Sequence, residues 1–219
     1  TDIPMSIDTR SARVAEAALN AGASIINDIS AVPADPDMVK LAADRGVRVV
    51  LMHMKGTPAD MQKNPTYRDA PAEIRRQIMG IAESAIESGV KKENIILDPG
   101  IGFGKRPEDN AGILARLDEW RTCGYSLMIG LSRKSFLGLI MDDEDRRSVE
   151  HFRRHVVQSD DTTEDLGREG KPSLPRDRLA ATIAAHAWCL ARNVDFLRVH
   201  DVREARMLIA VWEALSWAS

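Results

Sequence analysis

Residues able to do chemistry fall at regular places in this 219-residue sequence, each just after a short apolar run. Asp8 ends PMSID, Asn27 and Asp28 follow SII, His53 follows VRVVLM and Asp98 follows NIIL. Ser132, Arg133 and Lys134 follow LMIG, and Arg198, His200 and Asp201 lie in FLRVHD. One carboxylate can accept two neighbouring donors, and a buried site makes that pairing discriminating. Asp98 therefore suits a donor-rich heterocyclic edge, such as the NH2 and ring NH of a 2-amino-pyrimidinone. Asn27 adds an amide that both donates and accepts. Arg198 and His200 alternate along an expected strand just ahead of a helix start, where free N–H groups favour negative charge. They suit a phosphate or pyrophosphate. Taken singly, Arg198 could pair with a local acid and His200 could be a satisfied core histidine. The pair beside a helix start favours the anion. Asp28 and Asp201 read as helix caps.

The apolar runs themselves read as strands over Pro4–Asp8, Ser24–Asn27, Val47–Met52, Asn94–Leu97, Leu127–Gly130 and Phe196–Val199. Each is short and rich in Ile, Val, Leu or Met, as parallel strands covered on both faces are. Helical patterns lie between them. Ser11–Asn20 carries Val14, Ala17 and Ala18, and Asp35-Pro36 opens a second helix that Gly46 closes. Asp69–Ser88, Glu108–Thr122 and Arg176–Ala191 follow, and Asp201 starts a last helix with Ala205, Leu208, Ile209, Trp212 and Leu215 on one side. This alternation predicts an α/β protein with a parallel sheet. Ligands bind beyond the carboxyl ends of the strands, in a closed (β/α) barrel and in an open doubly wound sheet alike. Residues 142–178 break the rhythm with dense charge and read as an insertion, within a single domain spanning 1–219.

Composition narrows the field. With 44% hydrophobic and 29% charged residues the chain can build one large core. A net charge of −3 and the lack of a basic run argue against nucleic-acid binding. No apolar run is long enough to cross a bilayer, so no membrane role is expected. Cys123 and Cys189 lack metal or disulfide spacing and fit a reducing compartment, with the cytoplasm as the default. GIGFGK lacks the spacing of a phosphate-binding P-loop or a dinucleotide fingerprint. Its Gly102 and Gly104 read as room for a flat ring, with Phe103 as an apolar wall. His151 and His155, four apart, sit in the charged insertion and read as surface histidines, not metal ligands. Trp212 and Trp217 read as packing or an interface.

SIDTR (6–10), GASIINDIS (22–30), LMHMKGTPADMQ (51–62), ILDPGIGFGK (96–105), IGLSRKSFLG (129–138) and LRVHDV (197–202) together resemble the dihydropteroate synthase family, in order and with suitable spacing. The resemblance implies a TIM (β/α)8-type barrel, of which this chain carries about six of the eight βα units. It implies a transferase of folate biosynthesis that joins 4-aminobenzoate to (7,8-dihydropterin-6-yl)methyl diphosphate, giving 7,8-dihydropteroate and diphosphate, and that is a sulfonamide target. Carried over by motif, Asp8, Asn27, Asp98 and Lys134 would hold the pterin, and Arg198 and His200 the diphosphate. Phe103, Ser132 and Lys134 would border the aminobenzoate, and Asp8, Asp98 and Lys134 would serve catalysis. The resemblance also implies a homodimer and Mg2+, whose asparagine ligand belongs to family strands expected to be absent from this sequence. The alternatives are a pterin-binding homologue or fragment without synthase activity, and a scaffold whose insertion binds another protein.

Overall fold

The computed structural model describes residues 3–30, 35–57, 59–61, 63–142 and 173–216. The bulk of the insertion expected over 142–178, with His151 and His155, lies outside the described residues, as does Trp217. The chain divides into two compact units. One is Thr1–Gly130 with Cys189–Arg198, and the other is Leu131–Trp188 with Val199–Ser219.

The first unit holds a six-stranded, all-parallel sheet in sequential order. Its strands are β1 (Ser6–Asp8), β2 (Ile25–Asp28), β3 (Arg48–Met52), β4 (Ile95–Asp98), β5 (Ser126–Ile129) and β6 (Phe196–Leu197). Each expected strand is present, with ends shifted by a residue or two. All four residues of β4 and four of the five in β3 are buried, as strands covered on both faces must be. The register opposes Asp8 to Asn27 and Met52 to Asp98, so the polar strand ends share one edge.

Two side-chain contacts show that the sheet curls. In a flat sheet β1 and β6 would lie roughly 24 Å apart, at five strand spacings. Yet the Arg198 guanidinium, just beyond β6, is 2.7 Å from the Asp8 carboxylate at the end of β1. Arg48 of β3 likewise lies 6.0 Å from the Phe196 ring of β6. Sequential order with this curl is the (β/α)-barrel arrangement, here with six βα units; a doubly wound sheet would reverse its strand order at a switch point.

The helices that follow the strands are amphipathic where they cover it. In α3 (Ala70–Glu87), Ile74, Ile78, Ala82 and Ala85 fall on one face and are buried. Asp69 starts this helix by accepting the Ala72 N–H at 3.3 Å. In α1 (Ala12–Asn20) the buried stripe is Ala12, Ala15 and Leu19. The expected face of Val14, Ala17 and Ala18 is displaced, because Val14 lies on the opposite side and is exposed. Next come α2 (Asp37–Arg45) and then α4 (Pro107–Ala115) and α5 (Asp118–Arg121), which replace the single expected helix over 108–122. Arg116 leaves helical geometry between them, at φ −111° and ψ 29°. Its guanidinium bridges Asp69 and Glu119, and the break accompanies full burial of Leu117 and Trp120.

In the second unit, residues 135–142 are helical (α6). A short 3-10 turn over Pro175–Arg178 leads into α7 (Leu179–Leu190), where one uninterrupted helix was expected. The last helix, α8 (Val202–Ser216), buries Ala205. Leu208, Ile209 and Trp212 are half-buried and Leu215 is exposed, so the expected apolar side is only partly covered. Both cysteines are free, and burial pushes the Cys189 thiol up to about 12, which leaves it inert at neutral pH. Among the described residues no helix is long and apolar enough to cross a membrane.

Candidate functional site

The carboxyl-end rim of the first unit gathers the residues that end or follow its strands. At β1, the half-exposed Asp8 carboxylate accepts from Asn27 Nδ2 at 3.2 Å and from Arg198 Nη2 at 2.7 Å. Asn27 itself is buried. Asp28, the next residue, is buried and accepts the Ser30 backbone N–H and hydroxyl, so it serves a local turn where a helix cap was expected. Arg198 lies past the last β6 pair, although its N–H still reaches the Ile129 carbonyl at 2.9 Å. The ladder stops there, so β6 ends two residues short of the expected Val199. The alternation of Arg198 with His200 therefore does not follow from strand geometry.

Asp98 is buried at the end of β4, and its Oδ1 accepts the Gly100 N–H at 2.7 Å. That bond folds the loop back under its own strand end. Gly104, expected to leave room for a flat ring, packs against the β3 loop, as Gly100 does. Gly100 and Gly104 have φ of 67° and 63°, which L side chains rarely adopt. A Cβ on Gly100 would collide with the His53 carbonyl, and one on Gly104 with the backbone of Lys55. They let the β4 loop lie directly on the β3 loop. Gly102 donates its N–H to the buried Asn110 Oδ1 at 2.8 Å, and Tyr67 donates its hydroxyl to the Gly104 carbonyl at 2.9 Å. Phe103 is half-buried in the middle of this clamped loop.

Beneath the loop is a buried polar chain that the sequence reading did not assemble. Lys105 is 3% exposed, and its ammonium meets His53 Nδ1 at 3.0 Å and the Phe103 carbonyl at 2.9 Å. An ammonium only donates, so Nδ1 must be the accepting nitrogen. Nε2 then carries the proton and donates to Gln77 Oε1 at 2.8 Å. Burial, then the Lys105 charge, pushes the His53 pKa down to about 4. His53 is thus a neutral structural imidazole, tying the β3 loop to α3 and to the β4 loop. The signal in the sequence was slight: a lysine closing a glycine loop, and a histidine directly after a strand.

In the second unit, Ser132 is buried and its Oγ accepts the His200 N–H at 3.2 Å. Lys134 is half-buried and its N–H returns to the Leu131 carbonyl at 3.1 Å. Arg133 forks onto Asp201, donating from Nε at 3.0 Å and also from Nη2. The Asp201 carboxylate, expected to cap α8, serves this ion pair, which holds its pKa below the usual carboxylate range. His186 of α7 is buried with neither ring nitrogen hydrogen-bonded to protein, and burial lowers its pKa. Among the described residues no group of three His, Cys, Asp or Glu is placed to hold a metal ion.

Comparison with known proteins matches this architecture. Residues 1–200 match the family model of the pterin binding enzymes. The dihydropteroate synthase of Synechocystis is 36% identical over 214 residues, 98% of this chain and 64% of that protein. The chain thus spans less than two thirds of that relative. The structure of Thermus thermophilus dihydropteroate synthase in complex with 4-aminobenzoate is 38% identical, with a TM-score of 0.78 over 97% of this chain and 71% of that one. The Xanthomonas albilineans enzyme in complex with 7,8-dihydropteroate is 33% identical, with a TM-score of 0.78 over 99% and 68%. On sequence and fold together, the chain belongs to the pterin binding enzyme family, within which it is similar to the dihydropteroate synthases.

Proposed function

We propose that the protein is a transferase of folate biosynthesis, condensing 4-aminobenzoate with (7,8-dihydropterin-6-yl)methyl diphosphate to give 7,8-dihydropteroate and diphosphate. The observation that carries this reading is Asp98, a carboxylate buried at the end of β4 on the same strand-end rim as the buried Asn27 amide. An acidic acceptor kept out of water rewards a ligand that brings paired N–H donors and penalises one that lacks them. The 2-amino-pyrimidinone edge of a pterin brings them.

In this reading Asp98, Asn27 and Asp8 take the pterin, and Arg198 takes the diphosphate. The family resemblance assigns Lys134 to the pterin, His200 to the diphosphate, and Ser132, Lys134 and Phe103 to the aminobenzoate. The C–O bond from the exocyclic methylene to diphosphate breaks, and the electron pair leaves with the diphosphate. The resulting cation is conjugated with the pterin ring, near which the Asp8 and Asp98 carboxylates favour positive charge. The lone pair of the neutral aromatic amine forms the new C–N bond, and the resulting ammonium gives its proton to water. Arg198 is half-exposed and held by Asp8 alone among the described ion pairs. Such a pair is weak, so a diphosphate can draw the guanidinium away and release Asp8 to the ring. We assign the protein to the cytoplasm on its two free cysteines.

The homodimer implied by the family finds support in α8, which exposes Val202, Met207, Val211 and Leu215. The substrate assignment is tested by Asp98→Ala. It should abolish turnover and weaken pterin diphosphate binding by at least about a hundredfold, while an unchanged rate would remove Asp98 from the site. Binding by the parent chain without turnover would identify a pterin-binding homologue or fragment without synthase activity.

A further inference from the structure

Among the described residues, three other than glycine have positive φ: Asn64, Arg133 and Asn193. Asparagine tolerates the left-handed region, but an arginine there is strained. At φ 58°, Arg133 separates Ser132 from Lys134, so its conformation decides the direction in which both neighbours leave the chain.

The strain persists because the N–H, the carbonyl and the guanidinium of Arg133 are each held. Its N–H donates to Oγ1 of the buried Thr182 at 3.1 Å. Its carbonyl accepts from Arg178 Nη1 at 3.0 Å. Its guanidinium forks onto Asp201, while the adjacent Ser132 accepts from the adjacent His200. Two successive residues of one loop are thus stitched to two successive residues of another. Arg178 is anchored in turn by the Ser173 carbonyl at 2.6 Å, and the Ser173 N–H reaches the Asp142 carboxylate at 3.1 Å. Gly138 leaves room for this clasp, since a Cβ there would come within 2.6 Å of Arg178 Nε.

A half-exposed ion pair adds little stability. Glycine would adopt the same backbone without strain. What glycine lacks is the fork onto Asp201, which fixes direction as well as distance. We propose that Arg133 is a positioning residue: it aims Lys134 and Ser132 and locks their loop to the one that carries His200. The proposal rests on the pterin diphosphate reading given above.

The test is calorimetry of the 219-residue chain with (7,8-dihydropterin-6-yl)methyl diphosphate, alongside thermal unfolding. Arg133→Ala should weaken binding about tenfold or more, because a small misplacement of a binding group is costly. In a Lys134→Ala background the same change should cost distinctly less than in the parent chain, since one of the aimed groups is gone. A general loosening of the fold would instead weaken both backgrounds equally. Arg133→Gly should bind as poorly as Arg133→Ala despite its relaxed backbone. Parent affinity in either variant, or losses that multiply in the double variant, would overturn the proposal. If Arg133→Ala does not fold, Asp201→Asn replaces it, keeping an acceptor but removing the charge. Asp201→Asn should then weaken binding several-fold, and unchanged affinity would overturn the proposal. A parent chain that binds no pterin diphosphate would defeat the functional reading itself, and this inference with it.

Discussion

His53 illustrates how burial sets the state of a single side chain. Its usual pKa of 6.5 falls to about 4 because charging it means desolvation, and because Lys105 already supplies a positive charge. Between those two values the unfolded chain binds more protons than the folded one, so stability falls as pH falls. The contribution is intact above pH 6.5 and has lost about 3 kcal/mol by pH 4. His53→Gln keeps an acceptor for Lys105 but does not titrate. Denaturant unfolding from pH 7 to 4 should therefore give the variant a pH profile shallower by about that amount. Superimposable profiles would mean that His53 is not held neutral. Asp8, Asn27 and Asp98 were legible in the sequence because each follows an apolar run that could only be a strand. Lys105 and Gln77 were not, since their burial comes from one loop folding onto another and onto α3, contacts set by tertiary packing between segments far apart in the chain.

At the scale of elements, the strands were readable almost to the residue, because short runs buried on both faces leave few alternatives. Helix existence was also clear, but helix faces and interruptions were less so. Ala12, Ala15 and Leu19 make an unobtrusive stripe beside the larger Val14, and nothing local to 116 announces the break between α4 and α5. That break belongs to the long-range pairing of Arg116 with Asp69. The glycine loop after β4 was recognised as special, and its Gly100 and Gly104 serve backbone-on-backbone packing. Gly100→Ala tests this. The new Cβ meets the His53 carbonyl, and the left-handed backbone is strained as well. Loss of about 3 kcal/mol or more is expected in thermal or denaturant unfolding. Pterin affinity should fall with it, because Asp98 is held by the Gly100 N–H. A stable Ala variant with parent affinity would show that the loop does not orient Asp98.

For the molecule as a whole, the sequential parallel sheet, its curl and the family match converge on one architecture. What the sequence could not disclose is the division into two units, which depends on how densely segments pack rather than on any local pattern. The exposed apolar residues of α8 belong to this scale too. If they mediate a homodimer, Val211→Glu with Leu215→Glu should shift sedimentation equilibrium from dimer to monomer; a parent chain that sediments as a monomer would refute that use of the helix. The central claim is pterin recognition. Isothermal calorimetry of the parent chain with (7,8-dihydropterin-6-yl)methyl diphosphate tests it most directly, with Asp98→Ala as the control. The parent should bind saturably, one to one, and the variant should not; no heat from the parent, or equal binding by both, would contradict pterin recognition at Asp98.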